Sequence, residues 1–169
     1  MKPVEKSRPV GDVARLPHTE NQQYGVIVLV ADQSPATYSG KRITVWNGVM
    51  TGDDVAVLGN TLVDEKVVIA AFAVFHAVKG KSLGERLMAA LVAGANAGGD
   101  KRCGKQHATA AFLMVYKQPK DDKQTPHLKL DVYGLVKGGQ SAVVLLEKEF
   151  KRWRKQSMAQ RSEEIYIVP

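Results

Sequence analysis

The chain of 169 residues contains 24 Lys and Arg and 17 Asp and Glu, which gives a net charge of +7. This length suits a single domain, and a hydrophobic fraction of 44% is too high for a disordered chain. The single cysteine, Cys103, excludes an internal disulfide and a four-cysteine zinc site.

Three strands are predicted in the first part of the chain. A continuous apolar run indicates a buried strand over residues 24–30. A segment rich in turn residues then leads to a second strand over 42–46. The Asn47-Gly48 pair is typical of a hairpin turn, because both residues tolerate a positive φ. It precedes a third strand over 54–58.

Two helices are predicted next, each with its own start signal. Asp64 can cap a helix over residues 65–78, which is apolar on nearly all sides and is therefore expected to pack on more than one face. Ser82 and Glu85 have the spacing of a capping box, which predicts the start of a second helix. Glycines at 98–99 end that helix.

The next part of the chain predicts a second pair of strands. A loop over residues 98–106 leads to a buried strand over 108–116. A polar loop over 117–126 then connects it to a strand over 128–132. Apolar and charged residues alternate in that strand, which indicates one solvent face.

A last helix and two irregular ends complete the prediction. Ser141 can cap a helix whose apolar residues recur at helical spacing at Val143, Leu146, Phe150 and Trp153. Trp153 lies on that stripe and is expected in the core. Residues 1–21, with three of the seven prolines, are interpreted as an extended arm, and 158–169 as a tail with an edge strand at 165–168 or a segment that docks on a partner. The folded domain is then 22–157.

The element order is β-β-β-α-α-β-β-α, with no βαβ crossover. Strands that follow strands and helices that follow helices predict an α+β fold with mostly antiparallel strands and helices layered outside them. The longest apolar stretch, 67–78, is shorter than the roughly 20 residues that span a bilayer, and His76 interrupts it. The first twenty residues lack the apolar core of a secretory signal. We therefore expect no membrane contact and an intracellular chain, cytoplasmic or in an organellar matrix.

The loop between the second helix and the next strand is the richest in chemically active groups. Its glycines allow backbone N–H groups to approach a ligand, and its cations Lys101, Arg102 and Lys105 can bind an anion. The alternative is a solvated connection after a helix-stopping glycine pair, since most loop charges have no special role.

Catalytic and metal chemistry have weaker signals. Arg102 and Lys105 can lower the pKa of the Cys103 thiol, and His107 is a conceivable base, but a catalytic pair requires tertiary proximity. The four histidines lack metal-ligand spacing. We predict no catalytic residue, no metal and no cofactor.

The last helix carries a strongly basic surface formed by Lys148, Lys151, Arg152, Arg154 and Lys155. Cations near a helix C-terminus complement the helix dipole. The functional alternative is contact with RNA or with an acidic protein. The net charge of +7 is likewise compatible with ordinary solubility.

Four short motifs carry a resemblance to a known family. They are LGNTL at 58–62, LGERLMAALVAG at 83–94, AGGDKR at 97–102 and GKQ at 104–106. In this order they resemble the bacterial family called domain of unknown function ten-twenty-eight, over roughly residues 22–155. That family resembles the N-terminal nucleophile (Ntn) hydrolases, whose fold is two antiparallel sheets between helical layers. Ntn hydrolases cleave amide bonds with an N-terminal Thr, Ser or Cys whose α-amine is the base.

The resemblance implies a partial domain. The family has two further strands and a helix before the strand that begins at Tyr24, and the nucleophile lies there; this chain has the arm instead, and Met1-Lys2-Pro3 offers no hydroxyl or thiol. His107 stands where the family usually has Ser. The matching half of the site is a set of supporting residues: Asn60, Asp100, Arg102 and Gln106.

These expectations lead to two functional hypotheses. In the first, the chain is an Ntn-hydrolase-like domain that is not catalytic alone and that a second copy or another chain completes, because half a sandwich leaves open edges and an exposed apolar face. In the second, it is a structural or accessory subunit of a larger assembly that contacts RNA through the basic last helix.

Overall fold

The computed structural model describes residues 19–28, 33–43, 45–117 and 125–165. The interpretation of the arm up to residue 18 lies outside the described residues. The same is true of most of the polar loop over 117–126 and of the chain beyond residue 165.

The described part of the chain forms three β-hairpins and three α-helices. The elements are, in order, β1 (Gln23–Val26), β2 (Ala36–Ser39), β3 (Asn47–Thr51), β4 (Ala56–Asn60), α1 (Lys66–Ala77), α2 (Leu83–Asn96), β5 (Ala111–Val115), β6 (Leu128–Val132) and α3 (Ala142–Ile165). Each hairpin is a two-stranded antiparallel sheet, with β1 on β2, β3 on β4 and β5 on β6. Helices combined with antiparallel strands confirm the predicted α+β class.

Four strands precede the helices, not three. The segment expected to be a turn contains β2, in which Thr37 is buried and Tyr38 lies directly opposite Tyr24 of β1. The rings of these two tyrosines lie 6.3 Å apart. This cross-strand aromatic pair favours the β1–β2 hairpin. The turn residues of this segment, Ser34-Pro35 and Ser39-Gly40, lie at the two ends of β2. The strand predicted over 42–46 is absent from the described residues of that segment.

The predicted turn at Asn47 and Gly48 is wrong, because these residues begin β3 and pair with the end of β4. Gly48 is needed there for space: a Cβ on it would lie 2.3 Å from the Trp46 ring. The hairpin instead turns just before β4, where the backbone N–H of Gly52 donates to the carbonyl of Val55 at 2.8 Å.

The start of α2 is confirmed, whereas the predicted cap of α3 is wrong, because Oγ of Ser141 is buried without a hydrogen-bond partner among the described residues. At α1 the carboxylate of Asp64 accepts the backbone N–H of Lys66 at 2.8 Å, but the residue at the N-cap position is Glu65, which makes no side-chain cap bond. At α2, Ser82 and Glu85 form the complete capping box. We expected α1 to pack on more than one face, and for the described residues this expectation is wrong. Its buried residues lie on one side, whereas Ile69 is exposed on the other.

The core lies in two clusters. The larger packs α2 and α3 against the inner face of the β5–β6 hairpin, around Met88, Leu113, Leu128, Leu146 and Phe150. The smaller lies between α1, α2 and the β3–β4 hairpin, around Val55, Ala71, Phe75 and Ala90. The predicted apolar stripe of α3 therefore packs into the core.

The end of α3 differs from the sequence prediction. Trp153 packs against the larger cluster, with its ring 5.9 Å from that of Phe150. The helix then continues to Ile165, so the first part of the expected tail is helical. Among the described residues, no helix is long and apolar enough to cross a membrane.

Candidate functional site

The glycine-rich loop between α2 and β5 lies against the chain that follows β4. Asp100 forms an isolated antiparallel bridge with Leu62. The backbone N–H of Lys101 donates to the carbonyl of Thr61 at 2.9 Å, and that of Val63 donates to Gly99 at 3.1 Å. These bonds bring two of the sequence motifs, around Asn60 and around Asp100, to neighbouring positions.

The side chains of Asp100 and Arg102 bond to each other, and the backbone N–H of Asp100 also donates to the carbonyl of His107 at 3.0 Å. The Asp100 carboxylate accepts the backbone N–H of Arg102 at 2.8 Å and its Nε–H at 2.9 Å, and Nη2 contacts the second oxygen. The hydrogen bond from the Arg102 side chain lowers the pKa of Asp100, and partial burial opposes that effect. The same bond raises the pKa of Arg102. The Arg102 guanidinium is thus already paired with the Asp100 carboxylate, which reduces its capacity to bind another anion.

Asn60 and Gln106 tie parts of the fold together. The Asn60 side chain donates to Oε1 of Gln23 at 3.4 Å, and Nε2 of Gln23 donates to the carbonyl of Gly48 at 3.3 Å. These bonds join the first two hairpins. Gln106 is buried, and its amide bonds only to backbone groups of residues 136–140. Both residues support the fold around the loop rather than present free groups to a ligand.

His107 occupies a strained position at the end of the loop. Its φ is 64°, in the left-handed region that is uncommon for residues other than glycine. Its Nδ1 contacts the carbonyl oxygen of Ala95, which favours the tautomer with hydrogen on Nδ1. That contact links the loop to the last turn of α2.

A cavity of about 610 Å³ lies between α1, α2, β4 and the loop. Small and aliphatic residues form most of its wall, including Ala71, Ala90 and Gly94. The polar groups around it come from the loop and the start of the next strand: Asp100, Arg102, Cys103, His107 and Thr109. This arrangement can hold a small apolar group beside a carboxylate, a guanidinium, a thiol and an imidazole.

Some of the predicted site residues line the cavity and others do not. Asp100, Arg102 and His107 line the cavity, whereas Asn60, Lys101, Lys105 and Gln106 do not. Lys101 and Lys105 are exposed. The sequence prediction did not include Thr109 or the small residues of the wall, although the Ala- and Gly-rich α2 is the pattern from which a close helix contact could be expected. Among the described residues, no three His, Cys, Asp or Glu side chains are grouped to hold a metal.

The basic surface of α3 is partly neutralised within the chain. Lys151 pairs with Glu147 at 2.6 Å, Arg152 with Glu149 at 2.6 Å, and Arg154 with Glu85 at 3.0 Å. Of the five predicted cations, Lys148 and Lys155 are exposed and form no ion pair within the described ranges. Arg154 also links α3 to the capping box of α2.

Comparison with known proteins gives one match. Residues 12–136, more than half of the chain, match the sequence model of a family of unknown function, DUF1028. The matched span runs from before β1 to just after β6 and includes the polar residues that line the cavity. No curated protein and no solved structure matches the chain.

Proposed function

The chain belongs to the DUF1028 family, and from that premise we propose that it is an Ntn-hydrolase-like domain that becomes active on amide bonds only with a second chain. In this proposal the chain supplies the cavity and its supporting polar groups. The nucleophile comes from a different protein, and a second copy can only complete the sheets. The chain alone does not catalyse the reaction.

The observation that carries this proposal is that the sheets and helices have uncovered apolar faces. The three sheets have two strands each within the described residues. Phe112 on β5 and Tyr133 after β6 are 71% and 76% exposed, and Ile69 of α1 is also exposed. Large apolar side chains left in water at several places favour a partner that covers them.

The chemistry around the cavity supports the same proposal. The carboxylate of Asp100 and the guanidinium of Arg102 are bonded to each other, and His107 contacts a backbone carbonyl. Such groups can orient a substrate or stabilise charge. Amide hydrolysis also requires a nucleophile with an adjacent base. We infer that the partner supplies them.

The test compares the chain alone with the chain in the complexes it forms in its source cells. Each sample is assayed by mass spectrometry for hydrolysis of a panel of short peptides and N-acyl amines. We expect hydrolysis by a complex whose companion has a processed N-terminal Thr, Ser or Cys, and none by the isolated chain. Hydrolysis by the isolated chain, or none by any complex, would contradict the proposal.

The second candidate is an accessory subunit that contacts RNA through α3. It is favoured by Lys148 and Lys155 on that helix, which are exposed and form no ion pair with any other described residue. We expect the Lys148→Glu/Lys155→Glu variant to lose co-sedimentation with an RNA-containing particle, with Lys79→Glu on the turn after α1 as the matched control. Co-sedimentation of wild type without amidase activity in any fraction would favour this candidate over the first.

A further inference from the structure

The β5–β6 hairpin has one buried face and one uncovered face. Ala111, Leu113 and Val115 point into the core, as does Leu128 of β6. The residues between them on β5 belong to the opposite face, because side chains alternate along a strand. Phe112 on that face is 71% exposed.

Four side chains make up this outer face, and the strand register fixes their arrangement. Phe112 of β5 lies opposite Asp131 of β6, and Met114 lies opposite Lys129. All four line one open groove on the surface. The outer face therefore has an apolar column on β5 and a charged column on β6, with one cation and one anion.

This pattern is complementary to itself. Consider a two-fold axis that lies in the plane of contact, perpendicular to the strands, at the level of the Leu113–Leu130 pair. The axis reverses the strand direction, so it places Lys129 against the partner's Asp131 and Phe112 against the partner's Met114. The charged residues of β6 then form two ion pairs across the interface. The apolar residues of β5 form two contacts between an aromatic ring and a thioether.

We propose that the outer face of the β5–β6 hairpin is an interface between two copies of this chain, packed face to face about that axis. A uniformly acidic or basic partner would leave one of the two charges beside a like charge, which is unfavourable. A second copy meets both charges with their opposites. The sequence of β5, Ala111–Val115, is apolar throughout and carries none of the charges that keep an exposed strand from associating.

The test is a charge exchange in the full-length chain, measured by sedimentation equilibrium. We expect wild type to dimerise. Lys129→Glu and Asp131→Lys should each weaken the dimer by about tenfold or more, because symmetry converts two attractive pairs into two repulsive ones. The double variant restores opposite charges in exchanged positions and should return to wild-type affinity. Phe112→Ser should also weaken the dimer.

Lys148→Glu, a charge reversal on α3, is the matched control and should not change the dimer. Circular dichroism and a urea midpoint confirm that each variant is folded. Phe112 is exposed, so removal of its ring in Phe112→Ser leaves the core intact. A monomeric wild type, single variants that dimerise normally, or a double variant that stays as weak as the singles would each overturn the proposal.

This inference deepens the proposed function. It rests on that proposal in one respect, namely that the uncovered faces of the chain require a partner. The two can fail separately. A monomeric chain that nevertheless gains amidase activity with a different protein would overturn the second-copy interface alone. A dimer that behaves as described but belongs to no active complex would overturn the proposed function alone.

Discussion

The side-chain amide of Gln106 holds the backbone of Gly138, which lies in the turn before α3. Oε1 of Gln106 accepts the Gly138 N–H at 2.9 Å. Its Nε2 donates to the carbonyl of Val136 at 2.9 Å and to that of Gln140 at 3.1 Å. One buried side chain thus adds three hydrogen bonds to a turn whose own backbone bond is Gly139 N–H to the Val136 carbonyl, and it joins the glycine-rich loop to the start of the last helix.

The first prediction follows from this clamp. Gln106→Ala removes the partner of the Gly138 N–H and of the Gln140 carbonyl, while the Val136 carbonyl keeps the N–H of Gly139, and we expect the free energy of unfolding to fall by about 2–4 kcal/mol. Gln140→Ala is the control, because only the backbone of Gln140 takes part, and it should change stability by less than about 0.5 kcal/mol. Urea denaturation measures both. An unchanged midpoint for Gln106→Ala would show that the clamp contributes nothing.

The second prediction concerns Arg86, a residue that sequence patterning does not distinguish from any other helix surface residue. Its side chain is only 13% exposed, its guanidinium lies 3.8 Å over the ring of Phe75, and its Nε–H donates to the Phe75 carbonyl at 3.3 Å. We expect Arg86→Lys to cost about 1–2 kcal/mol of unfolding free energy, because an ammonium lacks the planar group and the Nε–H.

The matched control is its ion-pair partner. Asp54 lies 3.5 Å from Nη2 of Arg86 and is more exposed than Arg86. Exposed ion pairs contribute little, so Asp54→Asn should cost under about 1 kcal/mol in the same urea experiment. If Asp54→Asn costs as much as Arg86→Lys, the ion pair and not the contact with Phe75 fixes this side chain.

Local signals in the sequence were sufficient for the start of α2 and for the apolar stripe of α3. The Ser82–Glu85 capping box depends on residues three apart, and it forms as predicted. The stripe from Val143 to Phe150 packs as its spacing requires. The two hairpins at the start depend instead on partners that are distant in sequence. Tyr24 pairs with Tyr38, and Gly48 pairs with Gly59, so the turn signals there were misleading.

In the candidate site, too, local sequence predicted some features, whereas others depend on residues that are distant in sequence. The loop composition indicated which groups would be present, and Asp100, Arg102 and His107 do line the cavity. Their partners are not visible in a local pattern: Gln106 bonds to backbone more than 30 residues away at Gln140, and the cavity wall comes from two helices and a strand. Composition can identify reactive groups, but only the packing of distant segments decides which of them stay free.

The third prediction contrasts two glycines. A Cβ on Gly94 of α2 would lie 3.4 Å from the Val67 carbonyl, an ordinary contact, whereas a Cβ on Gly48 would lie 2.3 Å from the Trp46 ring. Gly94→Ala should therefore raise stability by about 0.5–1 kcal/mol through helix propensity. Gly48→Ala should lower it, because the ring has to move. Thermal unfolding of both variants tests this, and a destabilised Gly94→Ala would contradict the helix contact described for that position.

The fourth prediction is a pH dependence at Asp100. The hydrogen bond from Arg102 lowers the pKa of this carboxyl below its ordinary value of 3.8. A carboxyl with a lower pKa in the folded state stabilises the fold above its unfolded-state pKa, and that stability is lost as the pH falls through the folded-state pKa. Because Arg102 is largely exposed, we expect a modest effect of about 1 kcal/mol at pH 7.

The measurement compares wild type with Asp100→Asn by urea denaturation from pH 7 to pH 2.5. The variant should be less stable at pH 7, and the difference should shrink below about pH 4, where the wild-type carboxyl takes up a proton. In Arg102→Leu, NMR titration should give a higher pKa for Asp100, because the largest cause of its lowering is removed. A stability difference that stays constant down to pH 2.5, or a pKa that does not change in Arg102→Leu, would show that Arg102 does not stabilise the charged form of Asp100.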